Sequence, residues 1–252
     1  MMEPTKKSDQ IREMFKKIAP RYDFLNRLLS LGIDKHWRRD AVKNIRSRCA
    51  GRVLDIATGT GDMALEAAKA TDPSVTIIAV DFCPAMVDIA RNKIIASPWR
   101  DRVALGVASC EALPFQNNVY DSAIIAFGIR NVVNRLLGLE EIFRILQPGG
   151  RIIILEFSTP QSKIVKTVYH FYFRRLLPAI GGLFSDSGAY RYLPDSVLEF
   201  PDQDAFKKML IEVGFENVSH SVYTCGIVTC YLGDKPLTPS LHTLNLPQFR
   251  GQ

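Results

Sequence analysis

Between positions 52 and 157 the chain repeats one pattern, a short apolar run followed by a segment with helical spacing. The runs are RVLDI (52–56), VTIIAV (75–80), VALGV (103–107), SAIIAF (122–127) and RIIILEF (151–157). Strands this apolar have no polar face to offer water, so both of their faces must be covered. Segments 63–70, 84–96 and 136–146 read as helices and supply that cover, and Gln147-Pro148-Gly149-Gly150 ends the third of them. The expected core is an α/β fold, a mostly parallel sheet wrapped by helices.

The flanks read differently. Ile11, Met14, Phe15 and Ile18 follow helical spacing until Pro20 interrupts them. A second helix covers 22–31 and stops at Gly32, and a third starts near Asp34 with Trp37, Ala41, Val42 and Ile45 on one face. Residues 1–50 are thus expected to form an N-terminal helical cap and 51–157 the core. Residues 158–200 break the rhythm with many aromatics, Pro178 and a Gly181-Gly182 pair, which fits an inserted helical and aromatic lid. Residues 201–235 rejoin the core through a helix at 202–213, capped by Gly214. Segments 218–224 and 227–232 then form an antiparallel hairpin at the sheet edge around Cys225-Gly226. The Pro-containing tail, 236–252, is expected to be disordered.

Charge and cysteine usage narrow the partners. The net charge of +6 permits an acidic surface as partner without demanding one. No RNA-binding signature and no run of five like charges occurs, so nucleic acid is not expected. The five cysteines are odd in number and contain no CxxC pair, which argues against a disulfide frame or a metal site and for a reducing compartment. The polar first ten residues lack a secretory signal, and no apolar stretch approaches membrane-spanning length. The expected location is cytoplasmic, with any membrane met from its inner surface.

One segment points to chemistry. Val53-Leu54-Asp55-Ile56-Ala57-Thr58-Gly59-Thr60-Gly61-Asp62 is a strand running into a tight turn, where Gly59 and Gly61 let a ligand approach bare backbone. Twenty residues after Gly61 comes Asp81, placed at a strand end to accept both ribose hydroxyls of an adenosine, with Phe82 beside it. The turn matches a dinucleotide fingerprint, but Asp55 and Asp62 would repel a pyrophosphate. S-adenosylmethionine (SAM) carries a sulfonium and an ammonium instead, and acids attract it. The residues alone favour SAM and leave a nucleotide cofactor or a structural glycine turn open. The third strand adds Ser109, able to bond the adenine edge, and the Cys110 N–H; a plain polar turn is the alternative.

Together these segments resemble the class I SAM-dependent methyltransferases, and more closely the ubiquinone/menaquinone biosynthesis C-methyltransferases. Four blocks carry the resemblance. They are FKKIAPRYDFLN (15–26) continuing to Trp37-Arg38; LDIATGTGD (54–62) with Asp81; EALPF (111–115) with FGIRNV (127–132) and LQPGG (146–150); and YRYL (190–193) with FPD (200–202). It covers roughly residues 11–235. The glycine turn is generic, whereas YDFLN, FGIRN and YRYL are specific to quinone methylation. The resemblance implies a Rossmann-like seven-stranded sheet of order 3-2-1-4-5-7-6 and SAM contacts at Thr60, Asp81, Ser109 and Cys110. Ser109 stands where members often carry Asn or Asp, and Ala126 where some carry Ser.

The implied reaction is methylation of a ring carbon in a prenylated quinol, either a demethylmenaquinol or a 2-polyprenyl-6-methoxy-benzoquinol. Arg130, just after the fourth strand, would stabilise the phenolate directly or through water; a surface salt bridge is its alternative role. Tyr22, Tyr190 and Tyr192 would hold the quinol oxygens or pack around the ring. Asp23 would position neighbouring groups or cap a turn. His170 is a candidate base, although a lone His is more often structural. Residues 165–184 would form an apolar entrance resting on the membrane surface, and a homodimer is compatible with the chain. The rival readings are a SAM methyltransferase of another small molecule or RNA, and an NAD-dependent oxidoreductase.

Overall fold

The computed structural model of the chain describes residues 4–160, 192 and 195–237. Its strands are β1 (Arg52–Ile56), β2 (Thr76–Asp81), β3 (Val103–Val107), β4 (Tyr120–Ala126), β5 (Leu146–Phe157), β6 (Glu216–Tyr223) and β7 (Val228–Asp234). They form one sheet of order β3-β2-β1-β4-β5-β7-β6. The first five are parallel, while β7 runs antiparallel to both β5 and β6. This is the Rossmann-like sheet that the resemblance implies.

Side chains alternate across the strands, as the pleat demands. Val53, Ile124, Ile153 and Leu155 point to one face, where α3 (Asp34–Val42) brings Trp37, Ala41 and Val42 and α4 (Asp62–Ala70) brings Met63, Ala64 and Ala67. Leu54, Ile56, Ile125, Ile152 and Ile154 point to the other. There they meet Leu139 and Ile142 of α6 (Arg135–Ile145) and Phe206 and Leu210 of α7 (Gln203–Val213). Nearly all of these side chains are fully buried, so truncating one to Ala costs about 2–5 kcal/mol. The helix α5 (Pro84–Ile95) completes the first face.

Local signals set the helix ends. Asp202 accepts a hydrogen bond from the Ala205 N–H at 2.8 Å, and Gly214 ends α7 at φ +112°. In the N-terminal cap, α1 (Pro4–Ile18) gives way to a 3₁₀ turn at Ala19–Arg21, because Pro20 has no N–H to continue the helix. The α2 helix (Tyr22–Ser30) follows it.

Several strand boundaries shift by a residue or two from the sequence reading, and one by more. The strand β4 begins at Tyr120, and β5 reaches back through the expected turn to Leu146, which pairs with Tyr120. The Gly149 N–H donates to Lys235, and the Lys235 N–H returns a bond to Gly150. The Pro-Gly segment therefore extends the sheet instead of leaving it. The 165–184 entrance, His170, Tyr190 and the tail from 238 on lie outside the described residues.

The strand order reverses between β1 and β4. A crevice opens at such a point, beyond the strands' C-terminal ends, and loops from both halves reach it.

Candidate active site

At the end of β1 the chain turns through Ala57 (φ +53°), Gly59 (φ +57°) and Gly61 (φ +85°). Three left-handed residues within five make the turn tight. The Thr58 hydroxyl donates to Asp55 at 2.5 Å and the Thr58 N–H to Val80 at 3.0 Å. Beside this turn lies a cleft of about 690 Å³, partly open to solvent. Gly59, Asp81, Phe82, Ser109 and Cys110 all line it. A side chain at Gly59 would grow toward Tyr22, whose ring atom Cε1 would lie 3.7 Å from its Cβ.

Asp81 is the best-prepared group in the cleft. One carboxylate oxygen accepts from the Gly59 N–H at 2.8 Å and the other from the Cys83 N–H at 2.9 Å. Each oxygen keeps a further lone pair for a ligand hydroxyl. Burial pushes its carboxyl up to about 6, against the pull of those N–H groups. Burial also pushes the Cys110 thiol up to about 12, so it lines the cleft as a neutral thiol and is no nucleophile. The Ser109 hydroxyl accepts from the Glu111 N–H at 3.2 Å, which fixes the loop after β3.

The N-terminal helices roof the cleft through Ser8, Phe15 and Tyr22. Phe15 meets Tyr22 and Phe82 edge-on, with ring centroids 6.2 and 6.3 Å apart. A polar clasp holds this roof down. Asp23 accepts from the Thr60 hydroxyl at 2.5 Å and from Lys93 at 2.7 Å, and Lys93 also pairs with Asp62. Burial raises the Asp23 carboxyl, but the bonds from Lys93 and Thr60 outweigh it and hold it below its ordinary value.

Asp55, Thr60 and Gly61 are not among the residues lining the cleft. Asp55 is fully buried under the turn, and burial, with help from the Asp81 charge, lifts it to about 7. Thr60 is committed to the clasp, and Gly61 lets α4 approach α5, where its Cβ would fall 3.2 Å from that of Ala90. Asp62 is neutralised by Lys93. The repulsion of a pyrophosphate therefore cannot be argued from Asp62.

The far wall comes from the segment after β4. Phe127 (φ +56°), Gly128, Asn131, Val132 and Val133 line it. Arg130 lies behind this wall, 8% exposed, in a salt bridge to the fully buried Glu156 at 2.6 Å. The ion pair is buried, not on the surface, and Arg130 is not among the residues lining the cleft. Arg130 also donates to the Phe127 carbonyl at 2.6 Å and lies 5.4 Å from the Phe157 ring centroid. Tyr192 donates its hydroxyl to Asn131 at 2.9 Å. Of the four catalytic candidates Tyr22 lines the cleft, Arg130 and Tyr192 stand one layer behind it, and Tyr190 lies outside the described residues.

The profile of the ubiE/COQ5 methyltransferase family matches residues 3–235. The chain belongs to the ubiE/COQ5 methyltransferase family. A Geobacter sulfurreducens protein named ubiquinone/menaquinone biosynthesis C-methyltransferase UbiE is 58% identical over 233 residues, 92% of this chain and 91% of its own. The Thermus thermophilus demethylmenaquinone methyltransferase is 45% identical over 88% of this chain and 100% of its own. Among solved structures, a putative SAM-dependent methyltransferase from Methanococcus maripaludis aligns with a TM-score of 0.66 at 18% identity, covering 90% of this chain and 95% of that one. At that identity the likeness speaks for the fold alone.

In this family member the sequence reading missed Glu156 and Lys93. Glu156 had one visible signal, an acid near the end of an otherwise apolar strand. Lys93 had none, because its partners Asp23 and Asp62 are 70 and 31 residues away.

Proposed function

We infer that this member of the ubiE/COQ5 methyltransferase family uses SAM to methylate a ring carbon of a prenylated quinol in quinone biosynthesis. The observation that carries the SAM half is Asp81, a buried carboxylate lining the cleft and braced from behind by two backbone N–H groups. The residues around it fit the cofactor. Asp81 would accept the ribose hydroxyls, Ser109 and the Cys110 N–H would meet the adenine edge, and Phe82 would pack beside it. Gly59 leaves room for the rest of the molecule. Bound SAM would supply an electrophilic methyl for the ring carbon of a deprotonated quinol, with S-adenosylhomocysteine and the proton of that carbon as the other products.

The chain's own part is positioning and charge. Tyr22 and Phe127 both line the cleft and would pack against the ring. The Arg130 guanidinium, in the second layer, would stabilise the phenolate through its field and through Asn131 and Tyr192 beside it. The roof of α1 and α2 covers one side of the cleft and would limit water there, which strengthens each of these interactions. No helix among the described residues is long and apolar enough to cross a membrane. A prenyl tail leaves lipid at a cost of about 0.8 kcal/mol per CH₂, so the enzyme would work at the membrane surface.

The test is turnover with methyl-labelled SAM and two reduced substrates, a short-tail prenyl naphthoquinone and a short-tail prenyl benzoquinone. Label on a ring carbon of either supports the reading, and their rates decide between them. SAM binding without turnover of either quinol would assign the protein to another small molecule.

A further inference from the structure

Glu156, near the end of β5, is fully buried, and among the described residues two of the three hydrogen bonds to its carboxylate come from Arg130, in the turn that forms the wall of the cleft. Its Oε1 accepts from Arg130 Nη1 at 2.6 Å and from the Phe157 N–H at 2.8 Å. Its Oε2 accepts from the Arg130 backbone N–H at 3.2 Å. One carboxylate thus grips both the main chain and the guanidinium of a single residue. The Phe127 carbonyl takes a second bond from the same Nη1, and the Phe157 ring covers the guanidinium.

Stability alone does not account for this arrangement. Removing two ions from water costs several kcal/mol each, and an apolar pair of the same volume is often as stable or more so. What the pair delivers is orientation. With Nη1 held by two acceptors the guanidinium is fixed in place, and among the described residues its buried Nε has no hydrogen-bond partner. The turn that Glu156 anchors also carries Phe127, Gly128 and Asn131 into the cleft. Asn131 in turn holds the Tyr192 hydroxyl.

We propose that Glu156 is a positioning residue for methyl transfer, fixing Arg130 and its turn so that the guanidinium's field points at the reacting oxygen. This rests on the reading of Arg130 as the phenolate stabiliser. A locked guanidinium needs no reorganisation as charge develops, which is the condition for effective electrostatic stabilisation. Glu156 also cancels the Arg130 charge at long range, so the site is no general anion trap. Only a group on the guanidinium side, closer to the cation than to the carboxylate, feels a net attraction.

The experiment measures kcat, KM and SAM affinity for Glu156→Gln, Arg130→Met and the double variant. The substrate is whichever of the two reduced short-tail quinones wild type turns over faster. Glu156→Gln should lower kcat on the order of ten- to a hundredfold while SAM affinity changes less than about twofold. Added to Arg130→Met, it should change kcat by less than about twofold, because its effect passes through Arg130. A kcat for Glu156→Gln within twofold of wild type, or an equal loss in both backgrounds, overturns the proposal. Should Glu156→Gln not fold, Arg130→Lys decides. It keeps the charge and loses the fork, so wild-type kcat there overturns the proposal and a loss supports it. If Arg130→Met keeps wild-type kcat, the reading of Arg130 fails first. If Arg130→Met is slow and Glu156→Gln is not, only the role of Glu156 fails.

Discussion

The Thr60 hydroxyl donates to the Asp23 carboxylate across 2.5 Å, joining the glycine turn to the helix that roofs the cleft. Lys93 braces the same carboxylate from α5. Cofactor turn and roof therefore move together or break this contact.

Weakening the clasp should speed ligand release. Thr60→Val keeps the shape and removes the donor, at about 1 kcal/mol for one hydrogen bond. The SAM off-rate in stopped-flow displacement should rise about fivefold at that cost, with thermal stability little changed. An unchanged off-rate would mean that the roof opens without breaking this bond.

Asp81→Ala should weaken SAM binding by about 1.5–3 kcal/mol, the range for a charged hydrogen-bond acceptor. Titration should show the same dependence. Burial holds the Asp81 carboxyl near about 6, so lowering pH through that value protonates it and removes an acceptor. Calorimetry between pH 5 and 8 (on the order of the range in which such groups titrate) should show affinity falling on the acid side in wild type and not in Asp81→Asn.

Asp55 should leave its mark on stability instead. Burial raises it from an ordinary 3.8 to about 7 in the folded chain. A raised folded value means the folded state holds the proton more tightly. The stabilisation is complete below the unfolded value and is lost as pH rises through about 7. The ligand-free protein should therefore lose melting temperature as pH rises from about 4 to about 7, and Asp55→Asn should remove a large part of that fall, the rest belonging to Asp81. A wild-type melting temperature that is flat across this window would refute the assignment.

Residues 165–184 carry Tyr, Phe, Leu and Ile next to Arg174 and Arg175. That composition suits a headgroup boundary, where aromatic rings and a basic pair both find partners. Purified protein should float with anionic vesicles at low salt, and Arg174→Glu with Arg175→Glu should release it. Wild type left in the soluble fraction at every lipid composition would require a carrier to deliver the prenyl tail.

Much of the fold was legible because the central strands are buried on both faces, and such strands read as continuous apolar runs. The Gly59 turn and Asp81 were legible for a related reason, since backbone conformation and strand end fix where they must stand. The site's charge balance was not. Asp62 looks like a free acid until folding brings Lys93 to it, and the Thr60 hydroxyl looks unengaged until Asp23 accepts from it. Glu156 was lost inside a run read as core. Spacing along a chain locates groups on elements, but pairing across elements depends on packing that no local pattern records.

The last strand among the described residues, β7, fills the slot between β5 and β6, where Thr229 pairs with Glu156 and Cys230 with Leu155. During synthesis, β5 therefore waits with an open edge until residues 228–234 have left the ribosome. An edge of that kind invites pairing with other chains. The strand that grips Arg130 is among the last to be secured, so a nascent or truncated chain lacking β7 would lose solubility and a rigid cleft wall together. Chaperone dependence and catalytic competence would then share one switch, the docking of a seven-residue strand.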